Sequence, residues 1–171
     1  MSSAYYDANY LFKLLCLEPG SNEVRAHAAT TRFICTAAHG RAEFASAAFR
    51  KVREGAATPD HFRLALAQMR ADAATGNLQF LPLTDAVFDR LETVYSSATA
   101  GVYLRAADAI HLATAAENGF AEIHSNDKHL LAAMRVQKVS VPNGTPVAHL
   151  LARQSQCLAA KGIADAEVIC I

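Results

Sequence analysis

The chain is 171 residues long, a length suited to one domain with a substantial buried core. Its alanine- and leucine-rich composition, with only eight glycines and five prolines, excludes a disordered tract and a disulfide scaffold. Formal net charge is zero, so no overall positive field draws a polyanion. Phosphate contacts then depend on local clusters such as Arg41, Arg50, Lys51 and Arg53, or on a bound cation.

Residues 4–6 are a short apolar run ending on Asp7, which predicts a strand that presents this Asp at its carboxyl end. Asn9 starts a helix over residues 10–16, which stops near the Pro19-Gly20 turn. Ser21 and Val24 begin a second helix. Residues 31–36 (Thr-Arg-Phe-Ile-Cys-Thr) are β-branched and aromatic and predict a strand. From Arg41 the pattern is helical, with Phe44, Ala47, Ala48 and Val52 at spacings of three and four. Thr58-Pro59-Asp60 is a helix start, Thr58 as cap and Pro59 in the first position, and that helix runs to about Thr75. Gly76-Asn77 breaks it, and residues 78–81 form a strand. Thr84 caps a helix with Val87, Leu91 and Val94 on one face.

Residues 104–118 form a further helix, ended by Gly119. Residues 122–124 are a strand, 127–134 a short helix and 138–141 a last strand. Pro142-Asn143-Gly144 is a turn, followed by a C-terminal helix at about 146–161. The apolar end, 167–171, is an extra strand or an interface arm. Strands alternating with helices predict a mostly parallel sheet covered by helices. No repeat or low-complexity segment interrupts the pattern.

The cysteines Cys16, Cys35, Cys157 and Cys170 form no Cys-x-x-Cys pair, which argues against structural zinc and for buried thiols in a reducing compartment. The apolar stretch 10–17 is short and carries Lys13, so neither a signal peptide nor a membrane span is expected. The expected location is the cytoplasm.

Asp7, Glu43, Asp108 and Asp127 sit among apolar or small residues, where a lone carboxylate is costly. Asp7 and Asp127 follow strands, and ligands of open α/β sheets gather beyond strand carboxyl ends. Glu43 and Asp108 lie near helix starts that face the same crevice. Carboxylates brought close repel one another, and a divalent cation removes that conflict. Hard oxygen donors suit Mg²⁺ or Mn²⁺. Plainer roles stay open at this point. Asp7 and Asp127 would serve as helix caps, and Glu43 would pair with Arg50 or Arg53 on a solvated face. Asp108 is harder to explain in that way, because its neighbours on both sides are apolar.

These residues also carry a family resemblance. Tyr5-Tyr6-Asp7-Ala8-Asn9-Tyr10-Leu11-Phe12-Lys13-Leu14 resembles the opening motif of PIN domains, and Arg41-Ala42-Glu43-Phe44-Ala45-Ser46-Ala47 resembles the second. Leu104-Arg105-Ala106-Ala107-Asp108-Ala109-Ile110-His111-Leu112-Ala113-Thr114-Ala115 is the most specific match, and Ser125-Asn126-Asp127-Lys128-His129-Leu130 resembles the fourth motif. The four occur in order over roughly residues 4–141. The resemblance implies a three-layer α/β/α fold with a central parallel sheet. It also implies a metal-dependent endoribonuclease acting on RNA, and among the toxin-type members a VapC-like toxin with a cognate antitoxin. By motif position Asp7, Glu43, Asp108 and Asp127 are the metal-binding and catalytic acids, with Asn9 as a polar residue behind them.

His111 shares a helix face with Asp108 and reads as a packed core histidine. Arg105 and Lys128 flank the expected crevice as phosphate contacts or solvated charges. On this reading residues 1–142 are the nuclease domain. Residues 143–171 are an extension whose apolar positions Val147, Leu150, Leu151 and Leu158 pack on the core or form a homodimer contact. The rival from another class is a non-catalytic PIN-like interaction module, which loss of any of the four acids would favour. A phosphatase with Asp7 as nucleophile would need a second Asp at position 9, where Asn9 stands, and no P-loop motif is present.

Overall fold

A computed structural model of the chain describes residues 3–136 and 151–152. The elements are β1 (Ala4–Tyr6), α1 (Ala8–Leu15), α2 (Ser21–Ala28), β2 (Ile34–Ala37), α3 (Gly40–Arg53), α4 (Pro59–Ala74) and β3 (Leu78–Leu81). They continue with α5 (Asp85–Ser97), α6 (Ala106–Glu117), β4 (Glu122–His124), α7 (Lys128–Val136) and β5 (Leu151–Ala152). The strands form one sheet in the order β3-β2-β1-β4-β5, and every pairing is parallel.

The central strand β1 is buried along its whole length, as a strand covered on both faces must be. Side-chain alternation sorts the core into two halves. Ala4, Tyr6 and Ile34 face a cluster with Leu11, Phe12 and Phe44, supplied by α1 and α3. Tyr5, Cys35, Ala37 and Ile123 face the other way, onto Leu112 and Ala115 of α6 and Leu130 of α7. Helices therefore cover both sides of the sheet, which is the three-layer α/β/α arrangement expected. Cys16 and Cys35 are buried, as read from the sequence. Among the described residues no helix is long and apolar enough to cross a membrane.

Helix starts follow local chemistry. Thr58 caps α4 in a reciprocal box with His61, and Pro59 fills the first position. Thr84 caps α5 through the backbone N–H of Val87. Gly76 and Gly119 take positive φ (79° and 72°) just past α4 and α6, where any side chain would be strained.

Several boundaries differ from expectation for identifiable reasons. The strand expected at 31–36 begins at Ile34, because Thr30 and Thr31 turn back onto the carbonyls of His27 and Ala28 and finish α2. The helix expected at 10–16 begins at Ala8, because Asp7 itself caps it. The helix expected from 104 begins at Ala106, because Arg105 is still extended. The C-terminal helix expected over 146–161 is overturned at Leu151–Ala152, which pairs in parallel with Glu122 and Ile123 of β4. Backbone pairing with an open strand edge outweighs a helical pattern of side chains there. The strand expected at 138–141, the turn at 142–144, the rest of that helix, the end 167–171, Cys157 and Cys170 lie outside the described residues.

Candidate active site

The carboxyl ends of β1 and β4 and the first turns of α3 and α6 carry all four sequence-selected acids. Asp7 follows β1 directly, and its backbone N–H reaches the carbonyl of His124 (3.1 Å), which carries the β1–β4 pairing one step further. One carboxylate oxygen accepts from the backbone N–H of Tyr10 (2.8 Å) and caps α1. The other accepts from the Ser125 hydroxyl. The plain capping role is therefore real for Asp7, and it accounts for only part of the environment. The side chain is buried, and that burial pushes its carboxyl up to about 6. The positive charge of His111 and the bonds from Ser125 and Tyr10 oppose the rise only in part.

Ser125 ties Asp7 to Asp127. The same hydroxyl that donates to Asp7 accepts from the Asp127 backbone N–H at 2.9 Å. Asp127 caps α7 through the N–H groups of His129 (2.8 Å) and Leu130 (3.2 Å). Its own burial raises its carboxyl, but those two bonds and the Arg105 charge outweigh it and hold it below the usual carboxylate range.

Arg105 joins the third acid. Its guanidinium donates to both oxygens of Asp108 (Nε 2.7 Å, Nη2 3.0 Å) and through Nη2 to Asp127 (2.6 Å). Arg105, read from the sequence as a phosphate contact or a solvated charge, bridges two carboxylates and keeps a half-exposed side chain. Asp108 accepts that bidentate bond while buried. Lys128 and Asn9 are exposed.

Glu43 is held from a different side. Its Oε2 accepts from His111 Nε2 (2.9 Å) and lies 3.2 Å from His39 Nε2, which hydrogen-bonds the Ala107 carbonyl (3.2 Å). Burial raises its carboxyl, but the His111 bond and the charges of His111, His39 and Arg105 bring it below the usual range. Pairing of Glu43 with Arg50 or Arg53 is not what forms. Arg50 lies 4.0 Å from Glu54, while Lys51 pairs with Glu18 (2.7 Å), so the basic cluster read from the sequence is partly spent on ion pairs. His111 is packed, as expected, and only 2% exposed. It is also a hydrogen-bond bridge, with Nδ1 on the Tyr5 hydroxyl (2.9 Å) and Nε2 on Glu43.

The three aspartates are thus linked through Ser125 and Arg105, and Glu43 stands beside them on two histidines. Among the described residues, the one set with three candidate donors mutually within 4.8 Å is His39, Glu43 and His111, not the four acids. Sequence reading gave no role to His39 or Ser125. His39 stands four residues before Glu43, a helical spacing that was legible. The reach of Ser125 to Asp7 across 118 positions was not.

The donor chemistry fits a hard divalent cation. Arg105 bonds Asp108 and Asp127 but not Asp7, whose buried carboxyl is the one pushed upward, so the three linked aspartates carry more negative charge than one guanidinium offsets.

No curated protein matches the chain. A comparison with known families matches residues 4–136 to the PIN domain. The four acids, their order along the chain and the parallel strands β1 to β4 that carry them lie inside that match, and the chain belongs to the PIN domain family, a family of nucleases.

Proposed function

We propose that this protein is an endoribonuclease that hydrolyses RNA phosphodiester bonds with Mg²⁺ or Mn²⁺ held by Asp7, Glu43, Asp108 and Asp127, and that it is the VapC-like toxin of a toxin–antitoxin pair. The observation that carries this reading is the chain of contacts Asp7–Ser125–Asp127–Arg105–Asp108 at the carboxyl edge of the sheet, in a chain of the PIN domain family. Three carboxylates gathered by their neighbours are what a cation-binding crevice needs before any cation arrives.

A divalent ion bound there supplies a water of lowered pKa and neutralises charge on the phosphate. The protein's own groups do the rest. Ser125 and the N–H of Tyr10 orient the two oxygens of Asp7. Arg105 fixes the angle between Asp108 and Asp127, and with a half-exposed side chain it also stands within reach of a phosphate oxygen. His111, anchored on Tyr5, holds Glu43 toward the crevice. Attack by a water leaves 5′-phosphate and 3′-hydroxyl ends.

The test is a labelled structured RNA incubated with Mg²⁺ or Mn²⁺, followed by end-group analysis. Cleavage that stops in EDTA and is lost in Asp108→Asn supports the reading. EDTA-resistant cleavage, or 2′,3′-cyclic phosphate ends, would falsify the mechanism. The toxin role predicts growth arrest on expression, relieved by a co-expressed antitoxin from a neighbouring reading frame. Unimpeded growth with an active enzyme counts against it. We further propose a cytoplasmic homodimer in which residues 143–171 extend the nuclease domain of residues 1–142 and pack on it or on the partner copy. Sedimentation of the full chain as a monomer would remove the dimer.

A further inference from the structure

We propose that His39, Glu43 and His111 form a binding site for a divalent cation of the zinc class, separate in donor chemistry from the all-carboxylate crevice and joined to it through Glu43. The join rests on the nuclease reading above; the cation site itself stands on the geometry of its three side chains.

His39 precedes α3, and Glu43 lies one helical turn later, so both project from one face. His111 comes from α6 and meets them there. The two imidazole rings lie 4.3 Å apart between centroids, and His111 Nε2 bonds the Glu43 Oε2 at 2.9 Å. His39 Nε2 lies 3.2 Å from that same oxygen and 3.2 Å from the Ala107 carbonyl, a bond a cation would compete with or avoid by using His39 Nδ1. The three candidate donors lie within 4.8 Å of one another. Two imidazole nitrogens and one carboxylate select a borderline first-row ion such as Zn²⁺ or Co²⁺ over Mg²⁺, which prefers oxygen donors.

Two further observations point the same way. His111 Nδ1 is tied to the buried Tyr5 hydroxyl at 2.9 Å, which fixes the ring with Nε2 aimed at the cluster, and such an outer partner is what metal-binding histidines generally have. The protein's own bonding also leaves polar atoms over: His39 Nδ1 and the nearby Thr36 hydroxyl are buried without a hydrogen-bond partner. The Glu43 side chain is 33% exposed, so the cluster is open to solvent on that side.

The probe is Co²⁺ added to the full chain after metal removal, read by the visible absorption of cobalt with nitrogen ligands. The expected result is saturation at about one equivalent, displacement by Zn²⁺ and persistence in excess Mg²⁺. His39→Ala and Glu43→Gln, each shown to be folded by circular dichroism, should weaken binding at least about tenfold, while Asp108→Asn retains it. His39→Gln replaces His39→Ala if alanine disturbs the start of α3. A folded wild type with no cobalt spectrum overturns the site, as does unchanged affinity in both His39 variants. Equal loss in Asp108→Asn and the His39 variants also overturns it, since the cobalt would then sit in the carboxylate crevice. That outcome leaves the nuclease reading intact, which the RNA assay tests by itself.

Discussion

Asp7 caps α1, anchors Ser125 and is proposed as a cation ligand, and its burial gives these roles a measurable signature. A carboxyl pushed up to about 6 in the fold binds a proton more readily than in the unfolded chain, where its pKa is about 3.9. The contribution of Asp7 to stability is therefore greatest at low pH and falls as pH rises through the window from about 4 to 6, opposite in sign to that of Glu43 and Asp127. The loss amounts to about 3 kcal/mol by pH 7. In EDTA, Asp7→Asn should lack this fall and be more stable than the wild type at pH 7, since Asn keeps the capping oxygen. Urea unfolding of both proteins at pH 4 and pH 7 checks it; parallel pH profiles would contradict the burial argument. Mn²⁺ affinity of the wild type should correspondingly weaken below pH 6. Arg105 makes an opposite prediction. Its side chain is half exposed, so solvent screening limits its worth, and Arg105→Ala should cost about 1 kcal/mol of stability in EDTA. The cost should shrink in saturating Mn²⁺, which replaces the lost positive charge between Asp108 and Asp127.

Among the elements, α3 is the most sensitive to a small change. A Cβ added at Gly40 would lie 2.9 Å from the Thr36 hydroxyl and 3.7 Å from His111 Cε1. Alanine ordinarily gains up to about 1 kcal/mol over glycine within a helix. Here the buried, β-branched Thr36 has little room to move, and overpacking costs about 1–3 kcal/mol. Gly40→Ala should therefore be net destabilising in thermal unfolding; a raised melting temperature would show that Thr36 yields. At the other side of the sheet, β5 covers the edge of β4 by pairing with Glu122 and Ile123. Deleting residues 143–171 strips that neighbour and exposes backbone donors and acceptors. The truncated chain should self-associate more readily in light scattering, and one as soluble and stable as the full chain would argue against the covering role. Helix starts such as Thr58-Pro59 and Thr84 were legible because a cap is a local device. β2 began three residues late because Thr31 turns back onto the Ala28 carbonyl, and α6 two residues late because Arg105 is extended and reaches Asp127 as well as Asp108.

At the scale of the molecule, a cation that binds only the folded chain stabilises it by mass action, by about 2.7 kcal/mol at a hundredfold excess over the dissociation constant. Mn²⁺ should raise the melting temperature of the wild type, and Asp108→Asn should remove the rise while leaving the fold intact. Equal shifts in both would place the ion away from Asp108. The sequence by itself determined the alternation of strands and helices, hence a helix-covered parallel sheet, and it singled out Asp7, Glu43, Asp108 and Asp127. Both are written locally, in apolar period and in charge placed where a lone charge is costly. Which partners those acids acquire was decided only by tertiary structure. Ser125 reaches Asp7, Arg105 spans two aspartates, and His111 links Tyr5 to Glu43 across the sheet–helix interface. Leu151–Ala152 became a strand for the same reason, because the open edge of β4 offered pairing that no neighbour in sequence could announce. Contacts between residues far apart in the chain exist only once the layers have packed, and such contacts tie Asp7 to Ser125, Asp127 to Arg105 and Glu43 to His111.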